Sequence, residues 1–165
     1  MDKVVLIIGG NLGDRKTLIV ETNKLLVLHF GIPKLSSSIY ETAAWGGLSQ
    51  GNYLNQVLIF ETTESPVNVL TKILGVEDKM GRKRDIKWGD RIMDIDILYF
   101  GNKIVKSPSL IIPHPYIEKR RFVLEPLNEI IPDFLHPLLG KSQKELLELC
   151  LDTSEVVVFE KPNPE

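Results

Sequence analysis

Apolar and polar positions along the 165 residues switch between a period of two and a period near 3.6, and each switch marks an element. Lys3–Gly9 is a β-branched run that predicts a first strand, ended by Gly9-Gly10. Over 15–30 the apolar positions return at helical spacing. Leu18, Leu25 and Leu26 share a face there, although Glu21 and Thr22 weaken the stripe. Asn11 or Asp14 is placed to cap this helix, and Gly31 with Pro33 beyond it to stop it. Lys34–Tyr40 predicts a second strand. The stretch 41–52 has no period and three glycines, so it reads as a long loop into a strand at Tyr53–Thr63. Ser65 caps the next helix, with Pro66 in its first turn, where a missing N–H costs nothing; it runs to about Met80 and stops at Gly81.

A charged loop, 82–91, leads to a strand at Asp94–Phe100, and Gly101-Asn102 predicts a hairpin turn into Ile104–Lys106. Prolines punctuate 108–115, a helical stretch lies near 116–128, and Ser142 with Glu145 forms a capping box for a last helix to about Leu151. Val156–Phe159 is a final strand. The first two-thirds thus reads β-α-β-β-α-β, the order of the ferredoxin-like split motif. The expected fold is α+β: an antiparallel sheet with helices on one face, extended by the extra hairpin, the C-terminal helices and the final strand. The expectation is one domain over 1–165, with 160–165 frayed.

Composition changes this picture little. Hydrophobic residues make up 43% and charged residues 25%, ordinary for a globular domain. Twenty basic residues against 22 acidic ones leave a formal charge of −2, which argues against a nucleic-acid binder on global charge. The single cysteine, Cys150, allows no intramolecular disulfide and fits a reducing compartment, so a cytoplasmic location is expected. The apolar run Val4–Ile8 is too short for a signal peptide or a membrane span.

The average charge hides a local separation. On a strand Asp94 and Asp96 point to one face, with Cα atoms about 6.6 Å apart, while Ile95 and Ile97 point to the other and pack. Hard carboxylate oxygens suit Mg²⁺, which is commonly held by one or two carboxylates together with substrate phosphates. Taken alone, the pair fits a solvated face, or one neutralised by nearby cations, at least as well. Just upstream, Arg82, Lys83, Arg84, Lys87 and Arg91 are interrupted only by Asp85 and Asp90. A basic run is commonly a solvated loop. Beside a carboxylate pair it is also what a triphosphate needs, since arginine forks bind phosphate oxygens bidentately. Trp88 within this loop fits a lid over a ring.

Glu77 follows the apolar face of its helix, at Ile73+4 and Leu74+3, and reads either as a capped surface acid or as one facing a ligand. Tyr53 and Asn55 share a strand face, where a ring and an amide suit a heterocycle with donor and acceptor edges; a rim tyrosine over the core is the plainer alternative. With three histidines and one cysteine, zinc is improbable, and His114 is either a phosphate donor or a structural hydrogen bonder. Gly9-Gly10-Asn11-Leu12-Gly13 lacks dinucleotide-binding spacing and reads as a turn.

An ordered set of motifs resembles the 6-hydroxymethyl-7,8-dihydropterin pyrophosphokinase family over nearly the whole chain. Its anchors are Gly9-Gly10-Asn11-Leu12-Gly13, Tyr53-Leu54-Asn55, Gly81-Arg82-Lys83-Arg84, and Trp88-Gly89-Asp90-Arg91 running into Asp94-Ile95-Asp96-Ile97. Pro113-His114-Pro115 and Arg121-Phe122-Val123-Leu124 follow. The resemblance implies transfer of pyrophosphate from ATP to the pterin hydroxymethyl group with release of AMP, in folate biosynthesis. It implies that Asp94 and Asp96 hold two Mg²⁺ ions, with Arg82 and Arg91 catalytic beside them. Glu77, Arg84, Trp88, Ile97, His114 and Arg120 then form the ATP set. Thr42, Trp45, Tyr53, Asn55 and Phe122 form the pterin pocket, Tyr53 and Phe122 by stacking, Thr42 and Trp45 through backbone atoms. The implied partners are these two small molecules, with no nucleic acid or membrane, and a monomer. Gly10 stands where the family usually has serine, Ala43-Ala44 replaces a commonly proline-containing stretch, and Asp90 replaces a small residue or proline. Two rivals remain: a nucleotidyl transferase with paired strand carboxylates, which releases pyrophosphate, and a non-catalytic ferredoxin-like module that binds nucleotide or RNA.

Overall fold

The N-terminal apolar run is buried from Val4 through Gly10, side chains of both parities included, as suits a central strand. In the computed structural model, which describes residues 1–43, 52–81 and 92–162, this run is β1 (Asp2–Gly10). It is followed by α1 (Arg15–Phe30), β2 (Leu35–Ser36), β3 (Ile39–Thr42), β4 (Tyr53–Thr62), α2 (Pro66–Lys79), β5 (Asp94–Phe100), β6 (Val105–Lys106), β7 (Ile111–Ile112), α3 (Arg121–Ile130), α4 (Gln143–Leu149) and β8 (Val156–Glu160). The main sheet has the order β5-β1-β4-β3-β8, with β2 also on β4, and its pairings are antiparallel. This is the expected α+β class, with the difference that the C-terminal helices cover the second face of the sheet instead of joining α1 and α2 on the first.

Three of the helices, α1, α2 and α4, are opened by caps legible in their own sequence. Asp14 accepts the Thr17 N–H and opens α1, and Gly31, with φ +81°, closes it. Thr22 can sit inside the α1 stripe because its hydroxyl donates to the Leu18 carbonyl at 2.8 Å. Ser65 caps α2, and the Ser142–Glu145 capping box opens α4 with both of its hydrogen bonds made.

The sheet separates two apolar layers. On one face α1 and α2 cover Leu6, Ile8, Leu58, Phe60, Ile95 and Ile97. On the other, α3 and α4 cover Val5, Ile7, Val57, Ile59, Leu98 and Tyr99. Leu98 and Tyr99 fall in the same layer because the register of β1 on β5 slips between Val5 and Leu6, a bulge two residues beyond Asp96. Glu129 of α3 ties the second layer to the sheet: it accepts the Ser38 N–H at 2.8 Å, the Ser38 hydroxyl at 2.7 Å and the Tyr40 hydroxyl at 3.0 Å.

Four expectations need correction. The strand predicted over Lys34–Tyr40 is two strands. Pairing runs from Ser36 on Leu58 to Tyr40 on Asn55, so one extra residue is accommodated between them. The Ser37 hydroxyl there accepts the Val57 N–H at 2.9 Å and replaces a ladder bond. The helix near 116–128 is a short 3-10 turn at Ile117–Lys119 followed by α3. Gly9 and Gly10 belong to β1 and are not a turn. Finally, the hairpin after Gly101 does not extend the main sheet. The turn forms, with the Lys103 N–H on the Phe100 carbonyl at 3.0 Å. Beyond it β6 pairs with β7 in a separate two-stranded sheet. The edge of β5 is taken: the Ile95 N–H goes to Glu77 and the Leu98 carbonyl to the His114 N–H. The final strand does extend the sheet, on β3.

Candidate active site

Strand parity gathers the candidate residues on one face. Gly9 of β1 pairs with Asn55 on one side and with Asp94 on the other. Tyr40 pairs with Asn55, and Thr42 with Tyr53. Directly paired residues point the same way and alternate residues share a face. Thr42, Tyr53, Asn55, Asp94 and Asp96 therefore all lie on the face of the sheet that α3 and α4 cover farther along. Asn55, Gly9 and Asp94 form one row across three strands. At a strand spacing of about 4.8 Å, the amide and the carboxylate positions are about 10 Å apart at Cα.

The acid pair behaves as the alternation requires. Asp94 is half-buried and the Asp96 side chain is 51% exposed, while Ile95 and Ile97 are buried on the opposite face. The Ile97 side chain is thus committed to the core, and only its main chain remains for a ligand. Glu77 is not a surface acid: it is 1% exposed, and its Oε2 accepts the Ile95 N–H at 2.8 Å. The last turn of α2 is thereby pinned to the peptide between the two aspartates.

His114 approaches from the other side. Its main-chain N–H donates to the Leu98 carbonyl at 3.0 Å. Its Nδ1 accepts the Tyr116 N–H at 3.2 Å, so the neutral ring carries its proton on Nε2. Nε2 lies 4.0 Å from Asp96 Oδ2. Burial, reinforced by the Arg120 charge, pushes the imidazole down to about 4. The contact with Asp96 is therefore not an ion pair at neutral pH; His114 offers an uncharged N–H donor beside a carboxylate. Arg120 stacks between Tyr116 and Phe122, its guanidinium carbon 4.9 and 5.8 Å from the two ring centres. Sequence reasoning did not single out Tyr116. Phe122 is half-buried against the α3–α4 layer.

On this face of the sheet, two buried polar atoms lack hydrogen-bond partners among the described residues. Thr42 Oγ1 and Asn55 Oδ1 are buried and make no hydrogen bond, on residues 5% and 8% exposed. Buried polar atoms are ordinarily paired, so two acceptors on one face mark a place for a donor-bearing ligand. Trp45, Arg82, Arg84, Trp88 and Arg91 lie outside the described residues, as do Ala44, Lys83, Lys87 and Asp90. Among the described residues no three His, Cys, Asp or Glu side chains cluster as a metal cage. Two carboxylates on a common face, one of them well exposed, are of the type that suits an Mg²⁺ taking its remaining ligands from water and phosphate.

The comparisons with known proteins point the same way. The family model described as 7,8-dihydro-6-hydroxymethylpterin-pyrophosphokinase matches residues 5–132. A 2-amino-4-hydroxy-6-hydroxymethyldihydropteridine pyrophosphokinase of Aquifex aeolicus is 43% identical over 145 residues, covering 88% of this chain and 90% of that protein. The enzyme of the same name from Bacillus subtilis is 38% identical over 124 residues, 74% of each chain. Among solved structures, Plasmodium falciparum HPPK-DHPS with pteroate superposes with a TM-score of 0.72 at 19% identity, over 90% of this chain and 42% of that longer one. At that identity the superposition speaks for the fold, and the sequence matches speak for the rest. This chain belongs to the 7,8-dihydro-6-hydroxymethylpterin-pyrophosphokinase family.

Proposed function

We propose that the protein transfers pyrophosphate from ATP to the hydroxymethyl group of 6-hydroxymethyl-7,8-dihydropterin and releases AMP, a step of folate biosynthesis. The observation that carries this reading is the row Asn55–Gly9–Asp94. It puts an amide with a buried, unpartnered oxygen and an acid pair on the same face of the sheet, about 10 Å apart at Cα.

The pterin lies over Tyr53 and Asn55. Asn55 Oδ1 accepts from the N–H groups of its pyrimidine edge, and Phe122 stacks on the ring face opposite Tyr53. The hydroxymethyl oxygen then faces the acid pair and attacks the β-phosphorus of ATP; the β-phosphorus–oxygen bond to AMP breaks in line, and the hydroxyl proton passes to solvent. His114 donates its Nε2–H to a phosphate oxygen. Since Nδ1 already accepts a main-chain N–H, the ring acts as a donor and not as a base. Arg120 turns its charge toward the same phosphates from between two rings. On this reading Arg82, Arg84 and Arg91 supply further cations, and Trp88 a wall, from the segment between α2 and β5. Asp94 and Asp96 are the residues that hold Mg²⁺, two ions on this reading, and when bound the metal neutralises phosphate charge. Positioning and electrostatics account for the acceleration, as in phosphoryl transfer generally.

The reading places the enzyme in the cytoplasm as a monomer acting on two small molecules. Among the described residues no helix is long and apolar enough to cross a membrane. Incubation with ATP, Mg²⁺ and the reduced hydroxymethylpterin is the direct test. AMP and a pyrophosphorylated pterin are expected, with loss of turnover in EDTA and recovery on excess Mg²⁺. Pyrophosphate release would instead mark a nucleotidyl transferase, and no turnover a binding module.

A further inference from the structure

Gly9 sits in the interior of the central strand, where a glycine weakens the sheet and contributes no packing. Its backbone does not call for glycine. Five described glycines adopt positive φ, namely Gly13, Gly31, Gly81, Gly101 and Gly140, and Gly9 is not among them. Space is what calls for it. A Cβ on Gly9 would overlap Asn55 Nδ2 outright and would stand 2.9 Å from Asn55 Cγ and 2.5 Å from the Leu54 carbonyl oxygen. The Asn55 carboxamide thus lies in the volume that any other residue at position 9 would fill. Its orientation there is not symmetric. Nδ2 reaches back to the Ile8 carbonyl at 3.4 Å, and Oδ1 stays buried with no partner among the described residues.

We infer that Gly9 is a positioning residue for substrate recognition. By lacking a side chain it provides the berth in which Asn55 is held with its donor turned onto β1 and its acceptor presented to the ligand. The inference rests on the proposed function only for the identity of that ligand. The site is built to meet a donor edge, and an analogue with an acceptor or a C–H at that edge leaves Oδ1 buried and unpaired.

A double-mutant cycle tests it with wild type, Gly9→Ala, Asn55→Ala and the double variant. The readouts are dissociation constants for 6-hydroxymethyl-7,8-dihydropterin and for a non-hydrolysable ATP analogue, with thermal melts alongside. Gly9→Ala should weaken pterin binding by about tenfold or more, the cost of losing a buried hydrogen bond, and change binding of the ATP analogue by less than about threefold. Once Asn55 is alanine, adding Gly9→Ala should cost clearly less pterin affinity than it does in the wild type, because only the Leu54 carbonyl contact remains. The clash with the Leu54 carbonyl is present in both backgrounds and cancels from this comparison. Pterin affinity within about twofold of wild type for Gly9→Ala, or losses that multiply in the double variant, would overturn the inference. If Gly9→Ala alone fails to fold while the double variant folds, the coupling is read from stability and the inference stands; if neither folds, Gly9 serves main-chain approach alone and the inference falls. A wild-type protein that binds no pterin sinks the proposed function instead, and the melting-temperature cycle still reports whether the two positions are coupled.

Discussion

At the scale of single residues, the two aspartates and Phe122 make opposite demands on an experiment. Asp96 is half in solvent and Asp94 half-buried, and neither belongs to an apolar layer. Asp94→Ala and Asp96→Ala should therefore leave the fold intact while turnover in Mg²⁺ falls by about a hundredfold or more, a few kcal/mol of lost electrostatic stabilisation. Circular dichroism and steady-state AMP production check both halves of that statement, and near-normal turnover removes the metal assignment. Phe122 packs part of its ring against the α3–α4 layer, so Phe122→Ala should cost some stability as well. Its distinguishing effect is that pterin affinity drops much more than ATP affinity by calorimetry. Equal losses would make the ring structural.

At the scale of elements, the weight falls on how α3 meets the sheet. One carboxylate, Glu129, receives three hydrogen bonds from Ser38 and Tyr40 across the layer. Removing it leaves all three donors without their acceptor. Glu129→Ala should lower stability by about 2–4 kcal/mol, since bonds to a charged group are worth about 1.5–3 kcal/mol each and partly compensate one another. Chemical denaturation measures it, and a change under about 0.5 kcal/mol would show that solvent replaces the carboxylate.

The same scale shows where sequence reasoning works and where it stops. Strands and helices follow from local periodicity and caps, and α1, α2, β4 and β5 lie within a residue or so of their predicted limits. The alternation across Asp94–Ile97 is likewise local, and so it was legible. Pairing is not local. Nothing around Val105 says that its partner is Ile112, because that depends on Glu77 and His114 already occupying the edge of β5. Gly9 reads as a turn for the same reason: its need is set by Asn55, 46 positions away and visible only once the register is known. A glycine inside a β-branched run is the one local sign of such a close approach.

At the scale of the whole molecule, buried histidines set the response to acid. His136 is 3% exposed, and its Nδ1 accepts the N–H groups of Leu138 and Leu139 at 3.1 and 3.2 Å. Burial holds its pKa below the ordinary histidine value, as it does for His114. The folded protein keeps both rings neutral, while the unfolded chain takes up protons near pH 6.5. Below that pH the unfolded state binds more protons, so this contribution to stability is complete above about pH 6.5 and is lost as pH falls through the folded pKa values. The melting temperature should drop between about pH 7 and about pH 5, and the slope should be shallower in His136→Gln, whose side chain does not titrate there. A flat profile in the wild type would contradict it.

The occupied edge of β5 has a consequence for life in a crowded solution. An exposed strand edge is a template on which another chain can grow. Here the outward Ile95 N–H is filled by Glu77 and the outward Leu98 carbonyl by the main chain of His114, with Asp94 and Asp96 alternating between and before them. A foreign strand would have to displace a buried acid and then lie beside two carboxylates. The groups assigned to phosphate chemistry thus also guard this edge against edge-to-edge aggregation, and substitutions that blunt the acidity of this strand put solubility at risk together with activity.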